Sequence, residues 1–234
     1  MSEFIIESHE IHKTYDTGRI KVHALRGVDL QVTKGEMIAI MGSSGCGKTT
    51  LLNCLSGLDD LTEGKVLIEG HDLNTLSDNK KTDYRAKRIG FVFQAYNLIP
   101  VLTAVENVEL PLLISGTKEK VARKKAVEAL RMVDLLDCLD HKPSELSGGQ
   151  QQRVTIARAL VNEPAIIFAD EPTGNLDRAN SDVIMELLCR LNKENRQTFV
   201  LVTHDQRIGN MTNRILWMDS GRIIKESKSE TPCG

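Results

Sequence analysis

The chain has 234 residues, 41% of them hydrophobic, so it is long enough to bury a substantial core in one large or two small domains. Its 30 basic and 32 acidic residues nearly cancel, which argues against nucleic acid as the main partner and against a highly charged disordered tail. Its five cysteines stand apart, in odd number and without a C-x-x-C pair, so we expect neither a disulfide framework nor a zinc site.

Residues 4–40 are predicted to form β-strands. Val28, Leu30 and Val32 alternate with polar residues, which is the period of two expected for a sheet with one solvated face. Tyr15 ends an early strand-like run. Spacing alone favours an ordinary surface tyrosine there over an aromatic platform on which a ligand stacks.

The apolar run 37–41 leads into Gly-Ser-Ser-Gly-Cys-Gly-Lys-Thr at 42–49, and a helix is predicted to follow. Strand, glycine-rich turn and helix are the context in which G-x-x-x-x-G-K-[ST] indicates a phosphate-binding loop. Its glycines allow backbone N–H groups to point inward, and the helix start adds its positive dipole end. We predict a nucleoside triphosphate site in which Lys48 reaches the β- and γ-phosphates and Thr49 ligates Mg²⁺. The nucleotide-binding set is Gly42, Ser43, Ser44, Gly45, Cys46, Gly47, Lys48, Thr49 and Thr50.

The next part of the chain changes character near residue 95. Residues 58–90 are predicted to mix turns with short strands, and the strand 89–93 ends on Gln94. Beyond it, alanine and leucine recur at helical spacing from about residue 118, with charged residues on the opposite face. We therefore predict a mostly helical insertion at 95–160.

Two further apolar runs are predicted to be buried strands. The run at 165–169 ends on Asp170 and Glu171, and the run at 198–203 ends on His204. Continuous apolar strands of this kind are typical of the centre of a parallel sheet. A helix is predicted between them at about 179–194, and a hairpin follows at 215–224.

Four apolar strands thus end on residues suited to chemistry, and ligands of open α/β sheets bind beyond the carboxyl ends of parallel strands. Asp170 is predicted to hold Mg²⁺, and Glu171 to act as general base toward a water in line with the γ-phosphate. Gln94 is predicted to touch both Mg²⁺ and that water, and His204 to hydrogen-bond the γ-phosphate. Taken singly, such a carboxylate pair is more often a solvated strand end, and a lone histidine a structural hydrogen bonder.

A second glycine motif, Leu-Ser-Gly-Gly-Gln at 146–150, precedes a predicted helix. Ser147, Gly148 and Gly149 at a helix start form another potential anion cradle. Ordinary N-capping by Ser147 is the alternative. Because one nucleotide does not need two cradles, we expect this one to serve a nucleotide held by another copy of the chain.

Together these motifs resemble those of the ATP-binding-cassette (ABC) ATPases, in the same order and spacing and over nearly the whole chain. The resemblance implies an α/β fold with a P-loop NTPase (RecA-like) core, an antiparallel β subdomain and a helical ABC subdomain. The core and the β subdomain would comprise 1–94 and 161–234. The helical subdomain would comprise 95–160. It would include the glycine motif at 146–150, which matches the signature motif of the family.

The resemblance also implies roles for individual residues. Tyr15 takes the adenine-stacking position, against the interpretation from spacing, and Asp177 lies in the loop that couples two sites. In this family two copies close head to tail on two ATP molecules, with the signature motif touching the opposite γ-phosphate. The signature residues assigned to nucleotide binding are Ser147, Gly148, Gly149 and Gln150.

Residues 97–100, 103–111 and 169–177 are similar to those of the branch that contains lipoprotein-releasing, macrolide-efflux and cell-division ATPases. The implied partners are ATP with Mg²⁺, a second copy of the chain and a separate transmembrane permease subunit, without nucleic acid. No apolar run approaches the roughly 20 residues of a spanning helix, and the first residues lack a signal-peptide pattern. We therefore expect a cytoplasmic ATPase held at the inner face of the membrane by its permease.

Three other functions fit the motifs less well. A cassette protein that acts on nucleic acid or ribosomes usually has coiled-coil inserts or two cassettes in one chain, and this sequence has neither. An importer ATPase shares Asn107 and its surroundings but usually differs after Asp170-Glu171-Pro172. A nucleotide kinase would account for the phosphate loop but not for the motif at 146–150.

Overall fold

The computed structural model of the chain describes residues 3–229 and 232–233. Residues 1–2, which open the segment compared above with a signal peptide, lie outside the described part. The chain divides into two compact units. The first comprises Met1–Thr82 with Cys189–Gly234, and the second comprises Asp83–Leu188. The division into a core and a helical subdomain at 95–160 stays a prediction.

The chain begins with three strands, has three successive helices in its middle, and alternates strands with helices over residues 166–219. In chain order the strands are β1 (Phe4–Asp16), β2 (Lys21–Thr33), β3 (Met37–Met41), β4 (Glu63–Ile68), β5 (His71–Asp72), β6 (Ile89–Phe93), β7 (Ile166–Asp170), β8 (Thr198–Val202), β9 (Arg214–Asp219) and β10 (Arg222–Lys228). The helices are α1 (Lys48–Leu55), α2 (Asp78–Arg88), α3 (Ala104–Ile114), α4 (Glu119–Met132), α5 (Gly148–Leu160), α6 (Arg178–Asn195) and α7 (Gln206–Asn210).

The first unit contains an antiparallel sheet in the order β2–β1–β4–β5. Val28, Leu30 and Val32 are buried on β2 while the polar residues between them are exposed, which confirms the predicted alternation. Burial of one face of each long strand supplies the hydrophobic free energy that holds this sheet together.

The same unit also contains a sheet region in which β3 lies parallel to both β8 and β9, and β10 pairs antiparallel with β9. All residues of β3 and β8 are buried, as their continuous apolar sequences predict. Trp217 on β9 lies opposite Met41, the last residue of β3, and packs against a cluster of Ala39, Met41 and Ile215. The end of β3 is therefore fixed from its β9 side.

In the second unit, β6 and β7 form a parallel pair, and α3, α4 and α5 provide the helical part. Ala122, Ala126 and Ala129 of α4 are buried, which confirms the predicted apolar face of that helix. Asn107 on α3 is 1% exposed, and its side chain forms four hydrogen bonds to the backbone of Ile99, Leu102 and Thr103. The segment between β6 and α3 is thus held in one conformation.

One helix differs from the sequence-based expectation, and another contains a proline. The interval 58–90, predicted to hold only turns and strands, contains α2, which has no buried residue and therefore no apolar periodicity to reveal it. The apolar run at 110–114 is the end of α3, although Pro111 lies inside that helix. The helix begins at a capping box formed by Thr103 and Glu106, which satisfies its first N–H groups.

The sequence predicts no disulfide framework, but one pair of cysteines is bonded in the structure. Cys189 on α6 and Cys233 form a disulfide, with 5.4 Å between their Cα atoms. Odd cysteine number and wide spacing cannot reveal this pair, because the two residues meet only after folding. Among the described residues Cys46, Cys54 and Cys138 are buried free thiols.

Within 3–229 and 232–233, none of the helices combines the length and the apolar character needed to cross a bilayer.

Candidate functional site

The loop of residues 42–47 joins β3 to α1 and has no room for a side chain at two glycines. A Cβ atom at Gly42 would collide with the carbonyl oxygen of Met218, and one at Gly47 would lie 2.6 Å from that of Ala24. Gly47 also has a φ of +106°, a conformation that residues with a Cβ avoid. At both glycines the loop is therefore lined by backbone atoms of β9 and β2, which leave room only for a residue without a side chain.

Lys48, the first residue of α1, lies against the same loop and is 9% exposed. Its Nζ donates to the carbonyl oxygens of Gly42, at 2.9 Å, and Ser43, at 2.8 Å. A phosphate oxygen would offer Lys48 a charged acceptor instead of a neutral one, and such hydrogen bonds are stronger. The Lys48 ammonium group thus already lies against the loop in which an anion would bind.

The turn between β9 and β10 braces this loop. The Gly221 N–H donates to the carbonyl oxygen of Cys46, and the Gly221 carbonyl accepts from the Arg26 N–H, each at 2.9 Å. One residue thus links the phosphate loop to β2. No sequence pattern predicts this brace, because its members come from three separate parts of the chain.

His204 leaves the sheet beside the phosphate loop. Ile40 in β3 lies opposite Val202 in β8, so Gly42 and His204 each follow two residues later at the same edge of a parallel pair. His204 is exposed there. This arrangement matches the edge at which open α/β sheets bind ligands.

Tyr15 is the second-to-last residue of β1 and is 39% exposed. Its hydroxyl donates to Oδ2 of Asp59 at 2.7 Å. The pKa of Tyr15 is raised, first by partial burial and then by Asp59, whereas a hydrogen bond with Thr50 lowers it. Tyr15 is therefore tied to Asp59, in the segment that follows α1.

In the second unit, Gln94 and Glu171 leave neighbouring strand ends. Phe93 lies opposite Asp170 in the parallel β6–β7 pair, and Gln94 and Glu171 are the next residues on each strand. Glu171 has a φ of +47°, in the left-handed region that residues with a side chain rarely adopt.

The residues after Glu171 pack on Gln94. Gln94 Nε2 donates to Oδ1 of Asn175 at 3.3 Å, and Asn175 Nδ2 donates to the Gln94 carbonyl at 2.8 Å. A Cβ atom at Gly174 would lie 2.8 Å from Gln94 Nε2. Gln94, Glu171 and the loop at 172–175 therefore form one cluster.

The motif at 146–150 begins α5 with an N-cap. The Ser147 hydroxyl accepts from the Gln150 N–H, and Oε1 of Gln150 accepts from the Ser147 N–H at 2.8 Å. The capping alternative is therefore present in the structure. It engages both side chains while leaving the first N–H groups of α5, at Gly148 and Gly149, outside this pair of bonds.

Asp177 lies close to the signature motif. Its carboxylate accepts from the backbone N–H and the side-chain Nδ2 of Asn180, which lowers its pKa. A Cβ atom at Gly149 would lie 2.9 Å from Oδ1 of Asn180. A cavity of about 230 Å³ lies at this junction, with Ser147, Gly149 and Asn180 in its wall.

Gln152, which sequence reasoning missed, connects the signature helix to the strand end. This side chain is fully buried, and its Nε2 donates to the carbonyl oxygen of Pro172 at 2.6 Å. Pro172 follows Glu171 directly, so α5 is bonded to the loop that carries the predicted general base. Only folding brings these two motifs together, and no spacing rule predicts their contact.

The structure thus groups the predicted site residues within each unit. The first unit combines the phosphate loop with Lys48, Tyr15 and His204, and the second combines Gln94, Glu171, Ser147 and Asp177. Among the described residues, no cluster of three or more His, Cys, Asp or Glu side chains forms a metal site. The predicted Mg²⁺ ligands Thr49, Gln94 and Asp170 are hard oxygen donors, and Mg²⁺ typically takes few protein ligands beside phosphates and water. The donor set therefore suits that ion.

A protein-family model described as ABC transporter matches residues 25–174. This chain belongs to the ABC transporter family. The matched range includes the phosphate loop, Gln94, the signature motif and Glu171, so the resemblance inferred from the motifs is confirmed.

The relatives of this ABC ATPase agree with the predicted branch. An uncharacterized ABC transporter ATP-binding protein of Thermotoga maritima is 49% identical, over 94% of this chain and 93% of that protein. The lipoprotein-releasing system ATP-binding protein LolD of Legionella pneumophila is 44% identical, over 95% of this chain and 98% of LolD. The macrolide export ATP-binding/permease protein MacB of Syntrophobacter fumaroxidans is 46% identical over 95% of this chain, but only 32% of MacB is covered.

Solved structures confirm the fold class. A dimeric structure of the ATP-binding cassette MJ0796 in a post-hydrolysis state, bound to ADP and Pi, has a TM-score of 0.87 and 46% identity, over 95% of this chain and 98% of that chain. A second dimeric MJ0796 structure also has a TM-score of 0.87, with 47% identity and the same coverage. The predictions of an ABC ATPase and of ATP as its nucleotide are confirmed at the level of the family.

Proposed function

We propose that this chain is the ATP-hydrolysing subunit of a transporter, that it works as a head-to-tail pair of copies, and that Glu171 is its general base. The observation that carries the proposal is the backbone-lined loop at 42–47 with Lys48 bonded across it. That geometry suits the phosphates of a nucleotide, and the family supplies the identity of the nucleotide.

In this proposal the site residues have different roles. Lys48 and the loop N–H groups bind the phosphates, Tyr15 stacks on adenine, and His204 hydrogen-bonds the γ-phosphate. Glu171 takes the proton of the attacking water as that water adds to the γ-phosphorus and ADP leaves. Gln94 orients the water. The hydrogen bonds that hold Gln94 to Asn175 support this role, because they restrict the position of its amide.

Mg²⁺, held by Thr49, Gln94 and Asp170, would neutralise phosphate charge that develops during hydrolysis. This assignment rests on the hard oxygen donors of the three side chains.

The second phosphate cradle explains why two copies are needed. Ser147, Gly148 and Gly149 begin a 13-residue helix, whose N-terminal end favours an anion. In the proposed dimer they contact the γ-phosphate of the nucleotide held by the other copy, with Gln150 and Asp177 at the same interface. The dimeric MJ0796 structures, at 46–47% identity, support this arrangement.

The dimer is proposed to act on a separate transmembrane permease, at the cytoplasmic face of the membrane. The similarity to a lipoprotein-releasing and to a macrolide-export protein supports work in export or release. Closure of the dimer would move whatever docks on residues 95–116, and within that range Asn107 binds the backbone of Ile99, Leu102 and Thr103.

The test is Glu171→Gln, which keeps the size of the side chain and removes its basicity. We expect ATP hydrolysis to fall at least about 100-fold, as loss of a general base implies. Size-exclusion chromatography with light scattering should then detect a dimer in ATP and Mg²⁺, because the nucleotide that holds it together is no longer consumed.

Glu186→Gln, an exposed position on α6, is the matched control and should hydrolyse ATP as wild type does. If Glu171→Gln keeps near-normal hydrolysis and remains monomeric in ATP, the proposed role of Glu171 is wrong.

A further inference from the structure

The segment after α1 is fastened to the end of β1 that carries Tyr15. The Thr62 N–H donates to the His12 carbonyl, and the Thr14 N–H donates to Oγ1 of Thr62, each at 2.9 Å. Lys13 Nζ donates to the carbonyl oxygen of Asp60 at 2.7 Å. The segment 59–62 therefore runs along the end of β1 and places the Asp59 side chain beside Tyr15.

Two charged side chains hold the Tyr15 ring. The Asp59 carboxylate accepts from the Tyr15 hydroxyl at 2.7 Å through Oδ2. Lys13 Nζ lies 4.9 Å from the ring centroid, within the range of a cation–π interaction. One contact fixes the end of the ring and the other occupies one face, so a planar ligand is left with the opposite face.

Lys13 and Asp59 also bind each other. Their ion pair measures 2.5 Å, with the Lys13 and Asp59 side chains 12% and 28% exposed. Burial opposes charge on both groups, yet the pKa of Asp59 is lowered and that of Lys13 is raised, because their mutual contact outweighs burial. Both groups are therefore charged at neutral pH, and each keeps the other oriented toward Tyr15.

We propose that Asp59, together with Lys13, is a positioning residue that fixes the Tyr15 ring for stacking on the nucleotide base and so determines how much the base contributes to binding. The inference rests on the proposed function, in which Tyr15 is the platform for adenine. It adds to that function the two residues that orient the Tyr15 ring. It also implies that the site binds a nucleotide more tightly than a chain of phosphates without a base.

The experiment compares two ligands by isothermal titration calorimetry on the full chain, ATP and inorganic triphosphate, each with Mg²⁺. Stacking of one base on one aromatic ring implies that Tyr15→Ala weakens ATP binding by about 5- to 100-fold. Asp59→Ala should weaken ATP binding by at least about threefold, within that limit, because the ring is kept but no longer held. Triphosphate has no base, so its dissociation constant should change less than about twofold in both variants.

Asp60→Ala is the matched control. Its carboxylate is a neighbouring negative charge that binds Lys81 instead of Lys13, and the Asp60 carbonyl that Lys13 contacts is kept. This variant should bind ATP as wild type does. In the double variant Tyr15→Ala/Asp59→Ala, ATP binding should be no weaker than in Tyr15→Ala, because Asp59 acts only through the ring.

Three results would overturn the inference: equal losses of ATP and triphosphate binding in Asp59→Ala, additive losses in the double variant, or unchanged ATP binding in Asp59→Ala. If thermal denaturation shows that Asp59→Ala is unfolded, Lys13→Met and Tyr15→Phe decide the question by the same comparison of ligands. Failure of wild type to bind either ligand would instead refute the proposed function. A wild type that binds both, with Asp59→Ala indistinguishable from it, would refute only this inference.

Discussion

Lys48 has its ammonium group bonded to two carbonyl oxygens of the loop in which a phosphate is expected. Replacement by alanine removes these bonds and the charge that a phosphate would meet. We predict that Lys48→Ala weakens ATP binding by at least about 100-fold, since hydrogen bonds to charged groups are worth about 1.5–3 kcal/mol each. Calorimetry with ATP and Mg²⁺ measures the change.

Lys34→Ala is the control for that measurement, because Lys34 is an exposed lysine in the turn before β3. It should leave ATP affinity unchanged. Near-normal affinity in Lys48→Ala would show that the loop at 42–49 is not the phosphate site.

The carboxyl group of Asp59 allows a prediction about pH. Burial raises its pKa, but hydrogen bonds from Lys13 and Tyr15 prevail and bring the pKa below its ordinary 3.8. A pKa that is lower in the folded protein stabilises it above the unfolded value, and the contribution is lost as pH falls through the folded value. The free energy of unfolding lost in Asp59→Asn should therefore be constant from about pH 5 to 7 and shrink below about pH 4.

Urea denaturation of wild type and Asp59→Asn across this pH range measures the effect. A difference that grows on acidification would mean that the Asp59 charge destabilises the folded protein, contrary to the contacts around it.

At the residue scale, the sequence predicts the residues that would bind the nucleotide but not the residues that hold them in position. The motif at 42–49 predicts a phosphate loop because its glycines and lysine are adjacent in the chain. Asp59 and Gly221 have no such signal, since their partners are distant in sequence and meet only by folding. The left-handed backbone of Glu171 is likewise invisible, because a glutamate after a buried strand gives no hint of a positive φ.

At the scale of elements, the segment between β6 and α3 depends on Asn107. This side chain accepts from the Ile99 N–H and donates to three backbone carbonyls while being 1% exposed. We predict that Asn107→Ala lowers the free energy of unfolding by about 2–3 kcal/mol, because it leaves buried backbone groups without partners. Urea denaturation followed by circular dichroism measures it.

Asn195→Ala, at an exposed position near the end of α6, is the control and should change the free energy of unfolding by less than about 0.5 kcal/mol. An equally small effect of Asn107→Ala would show that the segment holds its conformation without that side chain.

Elements with an apolar periodicity are predictable here, and those without one are not. The strands β3, β7 and β8 follow from continuous apolar runs, and α4 follows from alanines at helical spacing. Helix α2 escapes prediction because all its residues face solvent, at least in part. In α3 the proline at 111 suggests a break, but packing of Val108 and Leu112 keeps the helix intact.

At the scale of the whole molecule, the proposed dimer places half of each working site on each copy. A mixture of Lys48→Ala and Ser147→Arg should therefore regain ATP hydrolysis that neither variant has alone. In a mixed dimer, one intact phosphate loop meets one intact signature motif. If copies pair at random, about a quarter of wild-type activity is expected in an equimolar mixture, since half the dimers are mixed and each has one intact site.

A steady-state ATPase assay of the separate and mixed variants measures the recovery. The shared site would be contradicted if the ATPase activity of the mixture were no higher than the sum of the two separate variants. Full turnover by isolated monomers would also contradict it.

Trp217 lies opposite Met41, one residue before the phosphate loop begins, and it is the chain's single tryptophan. Its indole Nε1 is buried without a hydrogen-bond partner in the described structure. Ultraviolet emission excited at the indole band therefore comes from one place, beside the strand that leads into the loop expected to receive ATP. Stopped-flow fluorescence without an attached dye thus tests whether nucleotide entry changes the surroundings of this indole.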